Sequence, residues 1–266
     1  MIRDITLGQY YKTESVIHRI DPRVKIVATL IYIVSLFIGN SFWGYGLAAL
    51  FLISVIIISK VPFRFMIKGM KSILFLMLIT ICINIFLTDG KVLVHFWIFK
   101  ITEEGIIRAA MMAIRLTFLV IGSSIMTLTT TPNHLTDGLE SLLGPLKCIH
   151  VPVHEIAMMM SIALRFIPIL IEETDKIMKA QMARGADFEN GGLIKKARNM
   201  VPLLVPLFVS AFRRANDLAL AMEARCYRGG KNRTKMKPLR YKLRDLFAYL
   251  ILSGYLAGII CINIWL

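Results

Sequence analysis

From Lys25 to Lys60 the chain carries no Lys, Arg, Asp or Glu between the two lysines. That run is too long for one bilayer crossing of about 20 residues and fits two crossings joined by a short turn. Gly39, Asn40, Ser41 and Gly44 supply the turn, and Trp43 and Tyr45 suit a membrane interface. The expected spans are 24–38 and 45–59, both short, so tilt or local thinning accommodates them. A third apolar run covers 72–87. A fourth, 106–128, is interrupted by Arg108 and Arg115. These lie seven apart and share a helix face. Arg108 reaches the near interface, while Arg115 is expected to face protein rather than lipid. Residues 246–266 form the last apolar run.

Basic residues orient these spans. The N-terminal segment holds Arg3, Lys12, Arg19, Arg23 and Lys25, and the turn near Ser41 holds none. Lys60, Arg64, Lys68 and Lys71 flank the second and third spans. Residues 88–105 hold Lys91 and Lys100 against Asp89, Glu103 and Glu104, whereas 129–244 is densely basic. Basic loops stay on the cytoplasmic side. Five spans then alternate without conflict, with the N-terminus and 129–244 in the cytoplasm and the C-terminus outside, and the region after the fourth span leaves room for one or two more.

Residues 152–184 read as one long helix, apolar over 156–171 and then charged, with Glu172, Glu173, Asp175, Lys176, Lys179 and Arg184. Pro168 is expected to bend it, and Gly185 to cap it. Gly191 and Gly192 open a second stretch ending at Tyr227, before Gly229 and Gly230, with Pro202 and Pro206 in its apolar centre. Neither apolar part is a clean span, since one holds Arg165 and the other is only twelve residues long. Two long helices lying partly in the interface, with basic tips in the cytoplasm, are expected. Arg214 and Asp217 add modest helix support. The predicted fold is all-α: a polytopic integral membrane protein with about five transmembrane helices and two long cytoplasmic coupling helices. Its parts are residues 1–128 with four spans, 129–245 with the coupling helices, and 246–266 as the final span.

Composition agrees. The 266 residues are 56% hydrophobic and 18% charged, with mean hydropathy +0.66. Residues 1–25 lack an apolar core segment, so no cleavable signal peptide is expected. The net charge of +15 would point to nucleic acid in a soluble protein. Here the run of Lys231, Arg233, Lys235, Lys237, Arg240, Lys242 and Arg244 reads as contact with anionic lipid, with no nucleic-acid partner. Cys82, Cys148, Cys226 and Cys261 show no C-x-x-C spacing and argue against a disulfide framework or zinc knuckle. His150 and His154 stand four apart near Cys148, but Pro152 between them argues against one helical face, so no metal site is assigned. The fifteen methionines, Met158, Met159 and Met160 among them, suit adaptable packing better than copper. No G-x-x-x-x-G-K-[ST] segment is present. No catalytic residue, bound cofactor or hydrolysis of ATP by this chain is expected. The spans also lack the carboxylate chain of a proton-coupled carrier.

The two long helices end alike, as Gln181-Met182-Ala183-Arg184-Gly185 and Met222-Glu223-Ala224-Arg225-Cys226. A small residue, an arginine and a small residue recur 41 positions apart. Such an ending exposes a guanidinium with little bulk around it, able to enter a partner's groove and form forked hydrogen bonds. The plainer alternative is a cation stabilising a helix C-terminus.

Further segments carry a family resemblance: His18-Arg19-Ile20-Asp21-Pro22-Arg23-Val24-Lys25, Thr129-Thr130-Thr131-Pro132, and Ala163-Leu164-Arg165-Phe166-Ile167-Pro168 with Glu172. With the two arginine endings, their order and spacing resemble the transmembrane coupling component of energy-coupling-factor (ECF) transporters over nearly the whole chain. The resemblance implies a scaffold between two cytoplasmic ABC-type ATPase subunits and one small substrate-binding membrane subunit, in some systems several interchangeable ones. ATP and Mg would be bound by the ATPases. Residues 183–185 (Ala183, Arg184, Gly185) and 224–226 (Ala224, Arg225, Cys226) would dock the ATPases, and Arg165, Pro168, Glu172, Pro202 and Pro206 would shape the coupling helices. ATPase closure would move these helices and reorient the substrate subunit, importing a vitamin or other micronutrient. Cys226 departs from the family's usual Gly or Ser. Arg23 has no assigned role beyond the interface. The alternatives are the dedicated counterpart of a cobalt or nickel importer and, more distantly, a membrane-embedded enzyme.

Overall fold

The computed structural model describes residues 10–39, 41–71, 73–88, 91–96, 99–186, 188, 192–230, 236 and 238–265. Arg3, Asn40, Ser72, Asp89, Gly191, Lys231, Arg233, Lys235 and Lys237, named above, lie outside these residues. The chain divides into two compact units, one of residues 8–142 and 239–266, the other of 1–7 and 143–238.

The first unit contains α1 (Pro22–Ile38), α2 (Phe42–Ser59), α3 (Phe63–Lys71), α4 (Leu74–Leu87), α5 (Glu103–Thr129), α6 (Pro132–Leu142) and α9 (Leu243–Trp265). A short antiparallel ribbon, β1 (Val92–Phe96) with β2 (Phe99–Thr102), precedes α5. The apolar pattern did not reveal the ribbon, α3 or α6. The helix starts follow local chemistry. The Asp21 carboxylate accepts from Arg23 N at 2.9 Å, with Pro22 at the first helical position. Ser41 Oγ accepts from Gly44 N at 3.3 Å and Thr102 Oγ1 from Gly105 N at 3.1 Å. Gly44 therefore lies inside α2 rather than in the turn. Glu103 and Glu104 sit in the first turn of α5, where negative charge suits the helix dipole.

Inside this unit α1, α2, α5 and α9 share one core built from Tyr32, Leu36, Tyr45, Leu52, Ile125 and Tyr255. Phe51 stacks on Tyr255 at 4.4 Å between ring centroids, and Tyr255 Oη meets Ser35 Oγ at 2.7 Å. Tyr32 lies against Gly122 of α5, where an added Cβ would stand 2.6 Å from its ring. Tyr45 is buried rather than an interface anchor, because its hydroxyl receives Arg115 Nε at 2.8 Å. The Arg115 guanidinium also covers the rings of Phe37 and Tyr45, so Arg115 does face protein.

Among the described residues, α2, α5, α7 and α9 are long and apolar enough to cross a membrane, and α3 with α4 makes a fifth candidate if that bent pair is one span. At 17 residues α1 is shorter. The protein is thus an all-α, polytopic membrane protein. One feature departs from the sequence pattern: α7, expected to be partly interfacial, meets the same length and apolarity standard as the spans. The helix runs on through Pro168, so residues 153–183 form one continuous helix.

The second unit contains a 3₁₀ turn (Gly144–Ile149), α7 (Val153–Ala183) and α8 (Leu193–Ala224). Pro168 lies inside α7, and Pro202 and Pro206 inside α8.

Candidate functional site

The two arginine endings share one backbone device. At the end of α7, Arg184 is the C-cap and Gly185 takes φ 89°. Gly185 N donates to Met182 O at 2.9 Å and Ala186 N to Gln181 O at 3.0 Å. At the end of α8, Arg225 is the C-cap and Cys226 takes φ 56°. Cys226 N donates to Glu223 O at 2.8 Å and Tyr227 N to Met222 O at 3.0 Å. Both are Schellman endings, which need a left-handed residue just after the cap. The small residue after each arginine is therefore a backbone requirement: glycine meets it freely, and cysteine meets it against the preference of its Cβ.

These endings bear on the plainer reading of the arginines. The last carbonyls of both helices already accept backbone N–H groups, so they do not need a guanidinium. Arg184 and Arg225 are exposed, and among the described residues neither guanidinium makes a hydrogen bond or ion pair. Ala183, Gly185, Ala224 and Cys226 beside them are also exposed. Each tip is a forked cation on a rigid stub, free to meet a partner carboxylate or carbonyl.

α7 packs on α8. Arg214 Nη2 bonds Glu173 Oε2 across the pair, so its observed partner is on α7 rather than one turn along α8. Gln181 Nε2 donates to Pro202 O at 3.4 Å. Pro206 has no N–H to offer the carbonyl four residues back, and Gln181 supplies the missing donor from the neighbouring helix. As the α7 number rises from 173 to 181, its α8 partner falls from 214 to 202, so the helices run antiparallel. Arg225 lies eleven residues past Arg214, level with residue 162 of α7, and Arg184 is 22 residues beyond that level, roughly 33 Å along the pair at 1.5 Å per residue. The two tips thus stand at opposite ends of the pair. Of the expected helix-shaping residues, Arg165, Pro168, Glu172 and Pro202 are exposed and Pro206 is half-buried.

Two other motif segments, 18–25 and 129–132, meet in the first unit, around a buried polar joint. Asp245 is 3% exposed. Its Oδ2 accepts from Lys242 N at 2.7 Å, closing the first turn of α9, and its Oδ1 accepts from Asp21 N at 2.9 Å, at the start of α1. One carboxylate thereby ties two helix N-termini, each an electropositive end. Arg23 lies over the Tyr241 ring at 5.1 Å and reaches Leu239 O at 3.5 Å, which gives it a role that the sequence did not reveal. Buried Lys25 donates to Thr129 O at 2.9 Å and to Thr130 Oγ1 and His18 O at 3.3 Å. The segments 18–25 and 129–132 are therefore one structure, in which a lysine of the first closes the end of α5. Next to it, Ser15 Oγ meets His18 Nδ1 at 2.7 Å and His18 Nε2 meets Tyr11 O at 3.0 Å. Burial is the main cause that lowers the His18 pKa, and the nearby Lys25 charge adds to it.

Sequence reasoning missed Asp245. Its signal was an acid three residues into the last helix, but the cap residue there is Lys242, which lacks the capping-box side chain. The four cysteines are exposed. Among the described residues, no group of three or more His, Cys, Asp or Glu could hold a metal ion.

Comparison with known proteins places this arrangement. A family model described as cobalt transport protein, CbiQ, matches residues 13–236. The energy-coupling factor transporter transmembrane protein EcfT of Clostridium kluyveri is 57% identical over 267 residues, covering 100% of this chain and 99% of the relative. EcfT of Thermosediminibacter oceani is 53% identical over 256 residues, 96% of each chain, and that of Bacillus subtilis 46% over 246 residues, 92% of this chain and 93% of the relative. The chain belongs to the CbiQ/EcfT family of transmembrane components of energy-coupling factor transporters.

Proposed function

We propose that this chain couples ATP hydrolysis by two ABC-type ATPase subunits to movement of a small substrate-binding membrane subunit, so importing a vitamin or other micronutrient. The observation that carries the proposal is the pair of unengaged arginines, Arg184 and Arg225, on capped helix ends at opposite ends of one antiparallel pair. One rod-like pair with a cation at each end can be gripped by two similar grooves and turned when those grooves approach. The ATPases would hold ATP and Mg. This chain would contribute docking and leverage, with no catalytic group of its own. The N-terminus and both helix tips would face the cytoplasm.

A second observation supports a membrane-embedded partner. Only 6% of the span-like window of α7 is buried within the chain, against 28% for α2. On α8, Val201, Leu204, Val205, Phe208 and Phe212 are all exposed and repeat at helical spacing. Such a stripe needs lipid or another subunit against it.

The test is purification of the tagged chain from its host in mild detergent, with identification of what accompanies it. Two ATPases and at least one small membrane protein are expected with the wild type, and loss of the ATPases with Arg184→Glu plus Arg225→Glu. A double variant that inserts normally and keeps both ATPases would overturn the docking roles. The cobalt description of the family keeps the dedicated metal importer as a second reading. A single metal-binding membrane partner in the purified complex would favour it, and several small membrane partners would favour a shared module.

A further inference from the structure

The first unit contains a cavity of about 430 Å³ between α1, α2, α5 and α9, within the range of about 300–1,000 Å³ usual for small-molecule sites. Its lining is graded along its length. At one end lie Lys25 and Arg244, in the first turns of α1 and α9, beside Thr129 at the end of α5. Away from that end the lining is apolar, with Ala28, Phe51, Val55, Ile251 and Leu252. No carboxylate lines it.

We infer that this groove holds one anionic phospholipid, with an acyl chain along its apolar length and its phosphate at Arg244. Charge selects the occupant. An exposed arginine at an end that no carboxylate lines favours a phosphate over a cationic ligand. The apolar remainder, within a helix bundle of membrane dimensions, matches a hydrocarbon chain. Arg244 is exposed, so its charge is available for the phosphate. The inference rests on the chain being a membrane protein and not on the ATPase docking roles.

The experiment is native mass spectrometry of the purified full chain with added phosphatidylglycerol or phosphatidylcholine. The wild type should retain one lipid and prefer phosphatidylglycerol by about fivefold, the advantage of one arginine near an anionic headgroup. Arg244→Gln should bring that preference close to one. Ala28→Phe, which fills the groove, and Ile251→Trp, at its exposed rim, should lose the bound lipid, each with melting unchanged within a few degrees. Equal binding of the two lipids by the wild type would overturn the charge argument. Unchanged lipid binding in folded Ala28→Phe or Ile251→Trp protein would overturn the site. If the complete complex carries no lipid where the isolated chain does, a partner's helix occupies the groove and the inference fails. Loss of ATPase binding by the arginine tips would leave all these readouts untouched, so the two proposals fail separately.

Discussion

Cys226 holds φ 56° at the position where Gly185 holds φ 89°. The left-handed conformation costs a residue with a Cβ about 1–2 kcal/mol, while glycine loses about 0.5–1 kcal/mol through its freer unfolded chain. Cys226→Gly should therefore stabilise the end of α8 by about 0.5–1 kcal/mol, read as a raised melting temperature in detergent, with docking unchanged. A drop in stability would mean the thiol makes contacts that outweigh the strain. Asp245 makes a stronger case. Replacing it with Ala leaves the buried N–H of Asp21 and the part-buried N–H of Lys242 without their acceptor. The expected loss is about 2–4 kcal/mol, with a smaller loss for Asp245→Asn, which keeps one acceptor oxygen. His18 adds a pH dependence. Neutral imidazole can accept from Ser15 Oγ and donate to Tyr11 O, and the fold lowers its pKa from the ordinary 6.5. A base held neutral by the fold gives its full contribution above the unfolded value and loses it as pH falls through the lowered folded one. Melting temperature should fall below about pH 6.5 in the wild type and flatten there in His18→Asn; parallel pH profiles would exclude His18 as the cause.

At the scale of elements, helix packing is set by a few close approaches. Tyr32 of α1 seats on Gly122 of α5, where a Cβ would come within 2.6 Å of the ring. Gly122→Val should force the two helices apart and cost roughly 1–3 kcal/mol, measured by thermal unfolding. A neutral result would mean that Tyr32 can swing aside. The long elements were legible in the sequence because apolar runs and charge breaks report helix length directly. Thus 45–59, 106–128 and 152–184 fall within a few residues of α2, α5 and α7. The short elements were not. α3 mixes Arg64, Lys68 and Lys71 with aromatics over nine residues, too few for its period to stand out. α6, Pro132–Leu142, is eleven residues long and carries Asp137 and Glu140 but no Lys or Arg, and nothing in so short a mixed segment announced its contact with α1. The arginine tips were legible as a repeated ending, but the reason for the following small residue was not, since backbone φ is invisible in the letters. The joint of Asp245, Asp21, Lys25 and Thr129 was also hidden, because it links positions more than a hundred residues apart, and no local pattern records such a contact.

For the molecule as a transmission device, the placement of the two tips matters more than their chemistry. Parallel helices would put both arginines at one end, where a single partner could cover them. The antiparallel pairing read from Glu173–Arg214 and Gln181–Pro202 separates them by roughly 33 Å along the pair. This spacing suits two partners, and motion of either one acts on the same rod pair. The separation is measurable without any partner. With Cys82, Cys148 and Cys261 replaced by Ser, native Cys226 can be spin-labelled together with a cysteine introduced by Met182→Cys, one residue of each ending. Pulsed dipolar spectroscopy on the purified chain should give one distance population centred at about 30–40 Å, the axial spacing widened by the label arms. A centre below about 20 Å would place both tips at one end and remove the basis for two separate docking grooves. A single population at the expected distance, unchanged by Glu173→Gln, would show that packing along the whole pair holds the tips apart. An exposed ion pair contributes only about 0–1 kcal/mol, so its loss should leave that spacing intact.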